Sequence, residues 1–173
     1  MMQSYLKAAL HYNPETGEFT WLERPRSHFP SSRAHNAWNR RYAGTSAGHV
    51  AENGYKTITL AGRLHKAHRL AFLYVYGEMP AEHIDHKNGQ RADNSLENLR
   101  AATRSENAFN RWELRGKSGV KGVSWHKRTS KWQARIGVAG KSRYLGLFET
   151  LEAAKAACEA AARWHFGDFA RPL

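Results

Sequence analysis

Between Glu82 and Asn110 the sequence reads EHIDHKNGQRADNSLENLRAATRSENAFN, and four of its side chains have the types for one reaction. Asp85 and His86 form an apolar-flanked pair, Asn98 follows a polar loop that turns through Gly89, and Asn107 lies beyond a short apolar piece around Leu96 and Leu99. A carboxylate and an amide oxygen are hard ligands suited to Mg²⁺, with water or phosphate oxygens completing the shell. An imidazole beside them can take a proton from water at neutral pH. A metal on the scissile phosphate plus a histidine-activated water is sufficient for phosphodiester hydrolysis. Strand, loop, strand and helix are the elements that would gather these groups. Thr103-Arg104-Ser105-Glu106 reads as a capping box, so a helix starts there and carries Asn107 on its first turns. Turn chemistry alone accounts for an Asn-rich loop, but not for the whole ordered pattern.

That pattern, D-H-x-N-G-x-x-x-D-N-x-x-x-N-L-R followed by T-x-x-x-N, closely resembles the HNH (ββα-metal) nucleases, and among them the small phage and intron-encoded homing endonucleases. The resemblance implies Asp85 and Asn107 as metal ligands and His86 as general base. It implies Asn98 as the middle Asn of the catalytic set, bracing the loop that holds His86. Many members have His at the third position; Asn107 here matches the homing branch. The implied cofactor is a divalent metal, Mg²⁺ first with Mn²⁺ as the alternative. The implied partner is double-stranded DNA, nicked by a monomer, with a dimer as the alternative.

The chain has 173 residues, room for one medium domain or two small ones. Its 41% hydrophobic content, with seven Phe, seven Tyr and six Trp, supports real cores and excludes a disordered chain. No run of 18 apolar residues occurs and the N-terminal segment lacks a signal-peptide core. The expectation is a soluble protein with no membrane partner, cytoplasmic in the bacterial host if the phage resemblance holds. The single cysteine, Cys158, gives neither a disulfide framework nor a Cys-x-x-Cys motif, so no structural zinc is expected. In its Ala-rich helix Cys158 reads as a small core residue. The net charge of +12 is unevenly placed. Residues 1–80 carry 10 Lys/Arg and 5 Asp/Glu, residues 81–115 carry 6 and 6, and residues 116–173 carry 11 and 4. A neutral centre between basic flanks suits a metal site flanked by arms that grip a polyanion.

Residues 3–12 pattern as a brief amphipathic helix, followed by a Pro-Gly turn and a strand with Phe19 and Trp21. Residues 23–49 read as loop by composition. Their five arginines (Arg24, Arg26, Arg33, Arg40, Arg41) suit a phosphate backbone as well as a solvated connector, and none stands out. Residues 53–63 give a period-2 strand ending at an Ala-Gly turn, and residues 65–77 a helix with Leu64, His68, Leu70, Ala71, Leu73 and Tyr74 on a broad apolar face. His68 is read as a core histidine before a site residue, and His83, two residues before Asp85, as a supporting neighbour.

Gly116, Ser118, Gly119 and Gly122 mark a linker, with a domain boundary near residue 116. Beyond it, VKGVSWHKR, KWQARIGV and SRYLGLFET alternate as three antiparallel strands with turns at Thr129-Ser130 and Ala139-Gly140, and LEAAKAACEAAARWHFG follows as a helix. One sheet face buries Val123, Trp132, Ala134, Ile136, Leu145 and Phe148 against the Ala face; the other presents Lys121, Ser124, His126, Gln133, Arg135 and Tyr144. Such a face suits a DNA major groove. The phrases K-G-V, K-W-x-A-x-I and Y-L-G-x-F-x-T-x-E-A-A resemble the plant ethylene-response-factor (Apetala-type) DNA-binding domain, which implies DNA contacts by Lys121, Ser124, His126, Arg135, Ser142 and Tyr144. Ser124, Ser142 and Tyr144 depart from the plant pattern, so base specificity does not carry over. Lys127, Arg128 and Lys131 at the first hairpin are expected phosphate contacts.

The expected architecture is α+β: residues 1–115 hold an N-terminal strand and helix extension and a ββα-metal nuclease domain with its core motif at 82–110, and residues 116–173 hold a small three-stranded antiparallel sheet with one helix. The expected function is metal-dependent cleavage of duplex DNA. The alternatives are a non-catalytic, sequence-specific DNA-binding regulator that keeps the HNH fold, and a nuclease directed at RNA or at branched structures.

Overall fold

A computed structural model describes residues 3–110 and 118–170, and the chain divides into two compact units, Met1–Ala101 and Ala102–Leu173. The boundary expected near residue 116 lies outside the described residues. The fold is α+β, with four small sheets among the described residues.

The first unit opens with α1 (Gln3–Ala9), β1 (Leu10–Tyr12) and β2 (Phe19–Trp21). The helix expected over residues 3–12 therefore ends early. Leu10, His11 and Tyr12 pair antiparallel with Trp21, Thr20 and Phe19, and the alternation buries Leu10 and Tyr12 while His11 stays exposed. The loop expected over 23–49 is also corrected: it holds a 3₁₀ turn (Arg26–His28), helix α2 (Ser32–Tyr42) and strand β3 (His49–Val50). Ser31 caps α2 by accepting from the amide of Ala34, and the inward face carries Trp38 and Asn39 where aliphatic residues would be expected. A helix packed through an aromatic ring and an amide leaves almost no apolar periodicity to read.

Strands β4 (Lys56–Leu60) and β5 (Arg63–Lys66) form a hairpin whose two turn residues, Ala61 and Gly62, have φ of 51° and 72°. Both positive values match the mirror-image turn that suits a two-residue hairpin. Leu64, expected on a buried helix face, lies on β5 and is 64% exposed. Helix α3 (Ala67–Tyr76) begins after it and buries Leu70, Ala71, Phe72 and Leu73. Strands β6 (His83–His86) and β7 (Leu99–Ala102) pair as the last sheet of this unit. Ile84 and Leu99 tie that pair to a core built from Leu6, Leu10, Phe19, Ile58, Leu60 and Leu70.

In the second unit, helix α4 (Arg104–Phe109) starts on the expected capping box: Thr103 accepts from the amide of Glu106, whose carboxylate accepts from the amide of Thr103 at 2.7 Å. The chain continues with β8 (Val123–His126), β9 (Lys131–Val138), β10 (Lys141–Phe148) and α5 (Leu151–Phe166), the sheet antiparallel in the order β10-β9-β8. Val123, Ala134 and Ile136 pack on Ala154, Cys158, Ala162 and Phe166 of α5, and Phe109 stacks on Phe166 at 4.5 Å between ring centroids. The Lys121 ammonium bonds the carbonyls of Ala108 and Phe109, placing a cation at the negative end of α4.

The turn between β1 and β2 rests on the loop that follows His86. Tyr12 Oη donates to the carbonyl of Asn94 at 2.7 Å, and the amide of Leu96 donates to the carbonyl of Pro14 at 2.8 Å. Burial pushes the Tyr12 hydroxyl pKa up to about 12, so it remains a donor. Gly17 completes this joint at φ 73°, where an added Cβ would lie 2.3 Å from the backbone of Asn94 and Ser95. A side chain there is strained twice, by its backbone angle and by the clash. Gly17→Ala is therefore expected to destabilise the fold by about 2 kcal/mol or more, measured by urea denaturation; an unchanged midpoint would refute the close approach.

Candidate active site

Strand β6 is buried on both sides: Ile84 is 7% exposed, Asp85 and His86 4% each. A carboxylate at that depth needs a partner. Arg100, on the neighbouring strand β7, supplies it, with Nε and Nη2 both 2.9 Å from Asp85 Oδ2. Alternation along β7 explains the placing, since Leu99 faces the core and Arg100 the other side.

His86 sits in a box of rings. Its centroid is 5.0 Å from that of His68, edge-on at 89°, and 5.9 Å from that of Tyr55. Burial lowers its pKa; Asn94, Asp85 and Asp93 oppose that shift without cancelling it, so the ring is neutral at pH 7. Asn94 lies 3.4 Å away through Oδ1 against His86 Nε2, while its Nδ2 donates to the carbonyl of Ala92 at 2.8 Å. With the amide oriented by Ala92, the atom facing the imidazole is an acceptor. The tautomer it favours carries its proton on Nε2 and leaves Nδ1 as the basic nitrogen.

The loop between β6 and β7 closes on Asn98. Its Oδ1 accepts from the amide of Asn88 at 2.9 Å, its Nδ2 donates to the carbonyl of Asp93 at 2.8 Å, and its carbonyl accepts from the amide of Lys87 at 2.8 Å. Burial raises the Asp93 carboxyl, but donations from Ser95 and Asn88 outweigh it and leave the pKa below the ordinary value. Asp85, His86 and Asn98 thus share the first unit, and Asn107 lies on α4 in the second. Among the described residues no group of three His, Cys, Asp or Glu gathers as a metal cage. Asp85 offers a hard carboxylate oxygen, the donor type suited to an ion that keeps water or phosphate oxygens in its shell.

Three neighbours of His86 and Asp85 received no role from the sequence. Arg100 was legible only as the last letter of the N-L-R phrase, Asn94 as part of D-N, and Tyr55 not at all. His68 is 5% exposed, and no hydrogen bond reaches its Nδ1 among the described residues. His83 is exposed.

In the second unit, cross-strand register sets Ser124 opposite Gln133, His126 opposite Lys131, Tyr144 opposite Arg135 and Ser142 opposite Gly137. These residues share the sheet face turned away from α5. Lys127 and Arg128 are exposed in the β8–β9 turn. Three of the expected DNA contacts already have partners: Lys121 on α4, Lys131 with Glu149 at 2.6 Å, and His126 with Thr129 at 2.7 Å. Arg135, Ser142 and Lys121 also line an open groove of about 790 Å³ whose walls include Phe109 and Ile136.

Residues 65–109 match the HNH endonuclease family model. The matched segment takes in His68, all of β6 and β7, the loop between them, and α4. Protein 3.8 of Escherichia phage T7 is 34% identical over 71 residues, covering 40% of this chain and 59% of that protein. An uncharacterized HNH endonuclease of Acanthamoeba polyphaga mimivirus is 27% identical over 126 residues, covering 72% of this chain and 65% of that protein. The chain thus spans roughly three fifths to two thirds of the length of these relatives. A solved structure described as DNA binding and cleavage by the HNH homing endonuclease I-HmuI aligns with a TM-score of 0.40 at 22% identity, over 59% of this chain and 51% of that one. No helix among the described residues is long and apolar enough to cross a membrane.

Two measurements test the electrostatics. Arg100→Ala removes the guanidinium bonded to buried Asp85 and is expected to destabilise the fold by about 3 kcal/mol. The double variant Asp85→Asn/Arg100→Ala should recover part of that loss, and simple additivity in the cycle would deny the coupling. The second concerns His68, whose pKa burial lowers from 6.5 to about 3. Between those values the unfolded chain binds a proton that the folded chain excludes, so stability is fully present above pH 6.5 and lost as pH falls. Urea midpoints at pH 7.5 and 5.0 should therefore diverge more for the wild type than for His68→Leu, by up to about 2 kcal/mol.

Proposed function

We propose that this chain is a metal-dependent DNA endonuclease in which His86 is the general base and Asp85, with Asn107, holds a divalent metal, Mg²⁺ before Mn²⁺. The observation that carries the reading is the buried Asp85–His86 pair on one strand, with the carboxylate ion-paired and the imidazole neutral. His86 Nδ1 takes the proton of the attacking water, and the proton on Nε2, facing Asn94, fixes the ring in the receptive tautomer. Asn98 acts as a positioning residue, because its three bonds hold the loop that carries Asn94. Asp85, fixed in place by Arg100, presents its charge to the metal. When bound, that ion stabilises the negative charge of the phosphate and the leaving oxygen.

The second unit is read as an Apetala-like DNA-binding module. Its sheet face places Ser124, His126, Arg135, Ser142 and Tyr144 together, and the hairpin adds Lys127 and Arg128. A strand-borne basic and aromatic face fits a DNA groove, and the surplus of positive charge in residues 116–173 supports a polyanionic partner. A single site of this kind cuts one strand at a time, so a monomer nicks. The host cytoplasm is where such an enzyme would meet its substrate.

The test is cleavage of supercoiled plasmid with Mg²⁺, with EDTA, and by His86→Ala. Nicking that needs the metal and is lost in the variant, with DNA binding retained, is the expected result. Normal cutting by His86→Ala would overturn the assignment of the base. Tight, salt-sensitive binding without cleavage would favour the regulator.

A further inference from the structure

From Arg24 to Ala51 the chain contains five arginines and no acidic residue. The structure sorts the five by burial. Arg24 is 8% exposed, its guanidinium 4.7 Å from the Trp38 ring centroid and 4.8 Å from that of Phe29, with Nη2 3.0 Å from Tyr5 Oη. Arg26 is turned back on its own segment, donating to Ser32 Oγ and to the carbonyl of Phe29. Arg33, Arg40 and Arg41 are exposed on α2 and have no ion pair among the described residues.

Helix α2 is held in place with unusual firmness for so polar a segment. Asn39 accepts from the Arg24 amide and donates to the Arg24 carbonyl, both at 3.0 Å, and His35 Nε2 lies 3.1 Å from that same carbonyl. Trp38 meets Trp21 edge-on at 5.0 Å and Phe29 at 5.7 Å. His35, Trp38 and Asn39 lie on one side of the helix and anchor it. Arg33, Ala37, Arg40 and Arg41 fall on the other. A flexible connector would join β2 to β3 without any of these bonds. A fixed helix with its cations turned to solvent is instead preorganised for a ligand.

We propose that α2 is a duplex-DNA contact of the first unit, with Arg33, Arg40 and Arg41 binding phosphates. The proposal rests on the endonuclease reading. Arg33 and Arg40 lie seven residues apart, about 10 Å along the helix axis, close to the roughly 12 Å width of the major groove. Two long side chains at that separation can each reach a backbone phosphate of a duplex. The absence of any acid from residues 24–51 leaves this surface without internal neutralisation, so the charge it complements belongs to the partner. The planar guanidinium forks suit bidentate bonds to phosphate oxygens.

The test uses the full chain in EDTA, so that binding is measured without cleavage, on a duplex of a few tens of base pairs across a salt series. Arg33→Ala/Arg40→Ala/Arg41→Ala should bind at least about tenfold more weakly near 0.1 M salt, with the slope of log K against log salt reduced by about 2 to 3. The Lys triple, Arg33→Lys/Arg40→Lys/Arg41→Lys, keeps the charge and should retain the wild-type slope; matching far-UV spectra and melting curves establish that all three proteins are folded. An Ala triple with wild-type affinity and slope would overturn the role of α2 while leaving the endonuclease reading intact. A wild type that binds no duplex would remove both.

Discussion

A carboxylate buried to a few per cent exposure, with a guanidinium laid against one of its oxygens, sets the terms for the first unit. Asp85 on β6 bonds Arg100 on β7, a contact that needs the two strands side by side. The pairing therefore adds a directional bond between the strands to the core contacts of Ile84 and Leu99. It also places His86 one residue further along the same strand, with burial lowering its pKa. A charge that would be costly alone becomes a device for holding geometry.

Around that pair, support arrives in layers. Asn98 closes the loop on itself, Asn94 lies against His86, and Tyr12 holds the backbone of Asn94 from below. The ring of His68 stands perpendicular to that of His86, with Tyr55 against both. The N-terminal segment reads from sequence as helix, turn and strand, yet in the structure its turn bonds the loop that follows His86. Rigid elements that fix a loop through its backbone achieve a precision that side-chain packing alone rarely gives.

Much of this was legible. The capping box, the β4–β5 turn, and the three strands and helix of the second unit announce themselves through cap chemistry, turn residues and period-2 alternation, all local signals. What stayed hidden depends on distant partners. Leu10 to Tyr12 continue a helical pattern and become strand because residues 19–21 are there to pair with them. Helix α2 has no apolar periodicity because its inward face is Trp38 and Asn39, whose partners are other rings and the backbone of Arg24. Arg100 and Asn94 lay within a motif already quoted, but only three-dimensional placement says what an arginine or an asparagine touches. The resemblance pairs Asn107 with Asp85, and Asn107 stands in a different compact unit.

The bond from Tyr12 to Asn94 joins residues 82 positions apart. Synthesis proceeds from the N-terminus at roughly 5 to 20 residues per second, so the hairpin has emerged several seconds before the segment it must receive. Its two short strands then wait for β4 and α3, because the core that holds Leu10 and Phe19 includes Ile58, Leu60 and Leu70. A gene fragment that kept every letter from Asp85 to Asn107 but lost the first two strands would preserve the signature and lose what shapes it. An unbroken motif is thus a statement about ancestry, and a supported Asp85–His86 pair is a statement about the whole first unit.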